Sequence, residues 1–483
     1  MLKPGQHNMK KLIPILIVLF WLAATFLLLY RHILVPRLGT EAKLLLPENE
    51  EKWMGIYLKG RKIGFASSRF SREIDGYNVH EEIRMKLKVL NTLQDIHTVT
   101  KVSLSPELNV RSFKFAIYST QDLEMEGRFQ GKTLTVDIKT GSSRSTKVLQ
   151  LEELPQMNLT VIPYLLKKGF RTGMRLKLPV FDPVTLSVQK MVIEVIGREK
   201  IPVNGIAVEA FKIRGDLNGV SSIMWVDDKG NELKAESPLG FTLVTEPMKE
   251  AIKFYGSSSD IIMQTAVPFD LKLPDDVSYL KVKVKGVNFK ELDLDSERQT
   301  LNGNIVEIKQ EDIGNFKPVS LPISGMEQYL KETPFIQSGD ERIIELASKI
   351  VGDEKDALSA SRLLWLWVFE NIEKVPSLTV PSAVDVLKTR RGDCNEHTVL
   401  YTALARAAGL PARMDVGLVY RDGYFYYHAW PEVFTGRWIA IDPTLGQFPA
   451  DATHLKLISG DIDKQVVLLK IINKISLKGI EYK

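Results

Sequence analysis

From about residue 50 to residue 265 the chain repeats one pattern, in which short β-like runs are each closed by a turn. Trp53 to Leu58 and Ile63 to Arg69 flank Lys59-Gly60-Arg61-Lys62, a hairpin signature. Val79 to Val89, Thr98 to Leu104, Ser112 to Tyr118 and Thr133 to Ile138 follow, punctuated by Asp75-Gly76, Gly131-Lys132 and Thr140-Gly141. Lys190 to Ile196, Ile206 to Ile213 and Ser222 to Val226 continue the series, which Asp227-Asp228-Lys229-Gly230-Asn231 closes. Strands and turns at this spacing predict an antiparallel sandwich or curled sheet over 50–265. Nothing in it gathers acids, histidines or glycine loops into a chemical site, so Gly55 and Trp225 read as turn and core.

The flanking segments differ. A short tail (1–11) precedes Leu12 to Tyr30, which is 19 residues without a charge. As a helix it would be roughly 28 Å long, enough to cross a bilayer's hydrocarbon core. No small-residue cleavage site follows it, so the expectation is an uncleaved transmembrane anchor with the bulk of the chain outside the cytoplasm. Lysines and arginines are balanced on its two sides, so orientation rests on the short leading tail. Pro268 to Asp276 reads as a linker, 277–322 as a small β section with Lys281-Val-Lys-Val-Lys-Gly286 alternation, and 461–483 as a C-terminal β tail. Between them, 325–460 opens with helical stripes at Asp340 to Val351 and Ala357 to Ile372.

Composition removes several function classes. A net charge of +5 on 483 residues, spread along the chain, leaves no nucleic-acid footprint. One cysteine excludes an internal disulfide framework and a cysteine-based zinc cluster. No EF-hand calcium loop occurs, and no cofactor or metal is implied.

That one cysteine lies in Arg390-Arg-Gly-Asp-Cys-Asn-Glu-His397. Asp393 and Glu396 form a capping box that would start a helix at Cys394 and run to Ala408, with Gly409 and Pro411 beyond. A first-turn thiol feels the positive end of the helix dipole, so its pKa is expected to fall. A lone cysteine is more often a small buried hydrophobe, but its charged neighbours here weigh against that. Further on, Tyr424 to Val433 and Trp438 to Asp442 read as strands joined through Phe434-Thr435-Gly436. Pairing Val433 with Arg437 makes partner numbers sum to 870 and sets His428 opposite Asp442, within reach of a carboxylate–imidazole bond. Alone, His428 could be a core histidine and Asp442 part of a turn. His397, one helical turn past Cys394, reads as structural because no carboxylate orients it; His454 receives no role.

Four blocks carry a resemblance: Arg391-Gly-Asp-Cys-Asn-Glu-His-Thr, Ala405-Arg-Ala-Ala-Gly-Leu-Pro-Ala-Arg413, His428-Ala-Trp-Pro-Glu-Val433 and Trp438-Ile-Ala-Ile-Asp-Pro-Thr444. In this order they resemble the transglutaminase-like superfamily, a branch of the papain-like fold, over about Asp340 to Leu457. The resemblance implies a catalytic triad of Cys394 as nucleophile, His428 as base then acid, and Asp442 as the group orienting His428. It also implies one oxyanion donor from the Cys394 backbone N–H and a peptide or protein substrate. The expected class is therefore α+β: an N-terminal transmembrane helix, an antiparallel β domain and a papain-like α/β catalytic domain. Three functions stay open: a thiol peptidase or amidase, a protein-glutamine amine transferase, and a scaffold without turnover. The compact catalytic unit favours hydrolysis.

Overall fold

The computed structural model describes residues 51–483, except 120–121, 142, 170, 257–259, 378–379, 381, 462–463 and 465. Its largest element is an antiparallel sheet of 14 strands. Eight strands, from Glu51–Leu58 to Ser143–Gln150, each pair with the next; six more, from Arg175–Asp182 to Phe241–Thr245, do the same. Glu51–Leu58 pairs with Phe241–Thr245 and fuses the two runs into one sheet. The period-two pattern explains why these residues are strands. In Thr133–Thr140, Leu134, Val136 and Ile138 point into the core while their neighbours stay more open. Lys59 and Gly60 form the first hairpin turn with φ of 50° and 79°, the left-handed pair that matches strand twist. The sheet curls on itself, since Phe113 meets Phe181 at 5.4 Å between ring centres within one cluster that also holds Leu134 and Val136.

The last third builds a second sheet of five strands. Ala412–Arg421 lies between Tyr424–Phe434 and Leu455–Ser459, with Val267–Pro268 and Trp438–Ala440 both pairing onto Tyr424–Phe434. Helices Glu341–Val351, Ala357–Asn371 and Ala383–Thr389 surround Cys394–Ala407, which is buried from Glu396 through Arg406. A third sheet joins Tyr279–Lys285 to both Ile305–Lys309 and Ser476–Tyr482, so the C-terminal segment completes the small β section rather than standing apart. The large sheet packs on this part through Phe335 and Val380, and through Thr140 Oγ1 to Ser382 Oγ at 3.2 Å.

The expected fold class needs correcting. Strand outweighs helix, and the 14-stranded sheet makes the protein mainly β rather than balanced α+β. Helical stripes in the last third drew weight in the sequence, but they cover only the wall around one sheet. The anchor expected at 12–30 lies outside the described residues. Among the described residues no helix is long and apolar enough to cross a membrane.

Gly417, opposite His428 in the ladder, shows how tightly the second sheet is closed. A Cβ there would stand 2.0 Å from the Leu455 carbonyl oxygen and 2.9 Å from the Trp430 ring. Backbone cannot yield as a side-chain tip can, so Gly417→Ala is expected to destabilise the protein by roughly 2–3 kcal/mol. Thermal unfolding checks this; an unchanged midpoint would contradict it.

Candidate active site

Cys394 opens its helix as the sequence predicts. Asp393 Oδ1 accepts the Asn395 N–H at 2.9 Å, and Glu396 Oε2 accepts the Asp393 N–H at 2.8 Å, which closes a capping box. The helix ends at Ala407, with Gly409 at φ 80° just beyond. Cys394 keeps partial exposure, and the Ala429 backbone N–H, next to His428, favours its ionised form. Its ionisation departs from expectation. Burial pushes the thiol well above its ordinary value and the Asp393 carboxyl adds to this, while the Ala429 N–H only partly opposes them. Burial and the Asp393 charge thus favour the protonated thiol over the thiolate. His397 is fully buried, with Nδ1 at 2.6 Å from its own helix's Asp393 carbonyl, and burial lowers its pKa.

The hairpin after it has a different register from the expected one. Val433 pairs with Ile439 and Phe434 with Trp438, so partner numbers sum to 872 and the loop is Thr435-Gly436-Arg437. The inferred pairing missed by one rung because Phe434, taken as a loop residue, remains in the strand. A shift of two in the sum keeps every side chain on its face. His428 and Asp442 therefore still meet, diagonally rather than straight across, with Nε2 and Oδ2 at 2.7 Å. This bond engages Nε2 and leaves the other ring nitrogen, Nδ1, outside the contact with Asp442.

Asp442 is fully buried and every carboxylate contact is made. Its Oδ1 accepts the Thr444 and Leu445 N–H groups at 2.7 and 2.9 Å, a turn set by Pro443. Its Oδ2 meets a second imidazole, His454 Nε2, at 3.0 Å. Burial pushes this carboxyl up, but the charge and bond of His428 and the bond of His454 hold it well below the usual range. His454 Nδ1 in turn meets Asp451 Oδ1 at 3.1 Å, and the His454 ring stands edge-on to Trp430 at 5.0 Å. Burial lowers the His454 pKa, yet Asp442 and Asp451 together raise it overall. His428, Asp442 and His454 offer ligand atoms within 4.8 Å of one another, a spacing that would suit a metal ion. The contacts argue against one: the Asp442 oxygen already bonds both imidazoles directly, and all three groups are buried.

Sequence reasoning gave His454 no role and did not single out Asp451 or the arginine behind them as site residues. The buried Arg298 donates to the carbonyls of Ala450 and Asp451 at 3.1 and 2.7 Å and pairs with buried Glu311 at 3.2 Å. Glu311 also accepts the Ala440 N–H at 2.9 Å, so the small β section clamps both ends of the loop that carries Asp442. Only Asp451 and His454, three apart and close after Asp442, were visible as a signal. Arg298→Met strands the Glu311 carboxylate in the interior and is expected to cost about 3–5 kcal/mol, read by denaturant unfolding. A loss below about 1 kcal/mol would show the clamp to be idle.

Asp451 gives a pH signature. Burial raises its carboxyl, but the bonds from His454 and Thr453 bring it down to about 2. A depressed folded pKa contributes stability that is whole above the unfolded value, about 4, and is lost as pH falls through the folded one. Asp451→Asn should therefore flatten the fall in melting temperature between about pH 4 and pH 2. A parallel fall in both proteins would contradict it.

Comparison with known proteins defines the class. Residues 344–443 match the sequence model of the transglutaminase-like superfamily, a stretch that contains Cys394, His428 and Asp442. Over those residues the chain carries a transglutaminase-like domain. An uncharacterised protein of Haemophilus influenzae is 35% identical over 98 residues, which are 19% of this chain and 26% of that protein. The kyphoscoliosis peptidase of Mus musculus is 26% identical over 129 residues, 23% of this chain and 19% of that protein. The chain thus spans about a quarter or less of the curated relatives it matches. Among solved structures, the periplasmic domain of TgpA from Pseudomonas aeruginosa, bound to ethylmercury, overlays 35% of this chain and 69% of its own at 17% identity and a TM-score of 0.21.

Proposed function

We propose that the protein performs thiol-dependent acyl transfer from peptide or amide substrates to water, with Cys394 as nucleophile, His428 as general base and acid, and Asp442 as its orienter. The observation that carries this reading is the buried 2.7 Å bond between His428 Nε2 and Asp442 Oδ2, made beside the Cys394 helix terminus. That bond fixes the tautomer. Asp442 holds the proton on Nε2, so Nδ1 is the free base. As Sγ attacks the carbonyl carbon, its proton passes to Nδ1 and the oxyanion takes the Cys394 N–H as one donor. Nδ1 then protonates the leaving amine, which leaves a thioester. Water gives a proton back to Nδ1, attacks the thioester and releases the acid and the thiol. The name of the kyphoscoliosis peptidase is in keeping with hydrolysis.

Transfer to an amine uses the same groups and stays as the second reading. The test is to supply an activated peptide ester with and without a primary amine. Hydrolysis predicts free acid as the main product and little change with amine. A product dominated by amide would replace hydrolysis with transamidation.

A further inference from the structure

The Asp442 carboxylate lies between two imidazoles rather than one, and the second of them lies between two carboxylates. We infer that His454 is a buried imidazolium, held between Asp442 and Asp451, that positions Asp442 and sets the basicity of His428. It is a positioning residue, since it acts on the reacting atoms only through Asp442, and the inference rests on the triad proposed above.

Counting protons leads there. Asp442 Oδ1 faces two backbone N–H donors, and its Oδ2 faces two ring nitrogens. Asp451 Oδ1 takes the Thr453 N–H at 3.0 Å and its hydroxyl at 2.6 Å besides His454, while the Gln447 amide donates to Oδ2 at 3.0 Å. Both carboxyls are surrounded by donors, which is the environment of an ionised group. An ionised carboxylate only accepts, so an imidazole that bonds one at each nitrogen must carry a proton on each. The directions of the shifts agree: both carboxyls lowered, His454 raised.

The cation has a consequence for the base. The charged groups facing His454 are Asp442 and Asp451 from its own loop and His428 from strand Tyr424–Phe434; Arg298, behind Asp451, is paired with Glu311. The two imidazole rings are 5.9 Å apart. Two positive charges at that distance repel, so the His454 cation opposes placing a second positive charge on the His428 ring.

The experiment is the rate of Cys394 alkylation by chloroacetamide across pH 4 to 10, which reads one thiol because the chain has no other. Wild type, His454→Gln, Asp451→Asn and His428→Ala are compared, with near-ultraviolet circular dichroism as the check on folding. His454→Gln keeps an N–H for Asp442 but no charge, and should move the acid-side midpoint up by about one pH unit or more. Asp451→Asn removes the second ionised acceptor, lets His454 become neutral, and should move the midpoint the same way; it decides the matter if the glutamine variant does not fold. A merely structural His454 would lower the rate at every pH with the midpoint fixed, and that result overturns the inference. If the midpoint moves with neither variant but disappears in His428→Ala, the triad stands and the inference falls. If His428→Ala keeps the wild-type profile, the triad assignment itself is overturned.

Discussion

Replacing Cys394 with alanine is expected to reduce turnover of an activated peptide ester by at least about 10⁴-fold while the protein stays folded. No other thiol exists to substitute for it. The loss should be nearly complete because covalent transfer needs a sulfur at the start of the Cys394 helix, and the remaining groups can only polarise the carbonyl. The side chain is half-buried and takes no part in the capping box, so the melting temperature should shift little. Equal turnover in variant and parent would remove the nucleophile from the account.

The second large effect is expected at His428 and Asp442. His428→Ala takes away the acceptor for a thiol proton that burial holds tightly, so turnover should fall by about 10³-fold or more, most severely below pH 8. Asp442→Asn should be harsher here than a simple loss of charge. If the amide oxygen faces the two imidazoles, the amide nitrogen faces the Thr444 and Leu445 N–H groups, and donors oppose donors. With the amide turned around, the clash moves to the imidazole side. Either way a buried donor goes unpaired, which costs about 1–3 kcal/mol of stability besides the catalytic loss. Steady-state rates and unfolding curves on the same preparations separate the two parts. Wild-type rates in either variant would contradict the assigned roles. His397→Ala, by contrast, should leave the pH profile of the reaction in place, because its ring is tied to the Asp393 carbonyl.

What the sequence made legible follows from range. The capping box at Asp393 and Glu396, the start of the Cys394 helix and the alternation of Thr133–Thr140 all depend on neighbours a few residues away, and each has a local chemical signature. The hairpin register was nearly readable, but a one-residue difference in where the loop begins moved every rung, because Phe434 can serve either a strand or a turn. The thiol's ionisation was read with the wrong sign. The helix dipole is visible in a sequence, whereas packing around the sulfur comes from strand Tyr424–Phe434, more than 30 residues away. Arg298 and Glu311 gave no signal at all. Their partners at Ala440, Ala450 and Asp451 lie over 120 residues on, and only the fold brings them together. The mainly β character was understated for a related reason: the sequence shows separate runs, and only long-range pairing adds 14 strands into one sheet.

The central claim is that Cys394 carries the acyl group with His428 as its proton partner. The most direct measurement is intact-protein mass spectrometry after brief mixing with an N-acyl peptide ester, followed by mapping of the modified peptide. The account predicts one added acyl mass on the peptide containing Cys394, removed by hydroxylamine as a thioester is, and absent from Cys394→Ala. An acyl group found on any other residue, or turnover that continues in Cys394→Ala without an adduct, would contradict it.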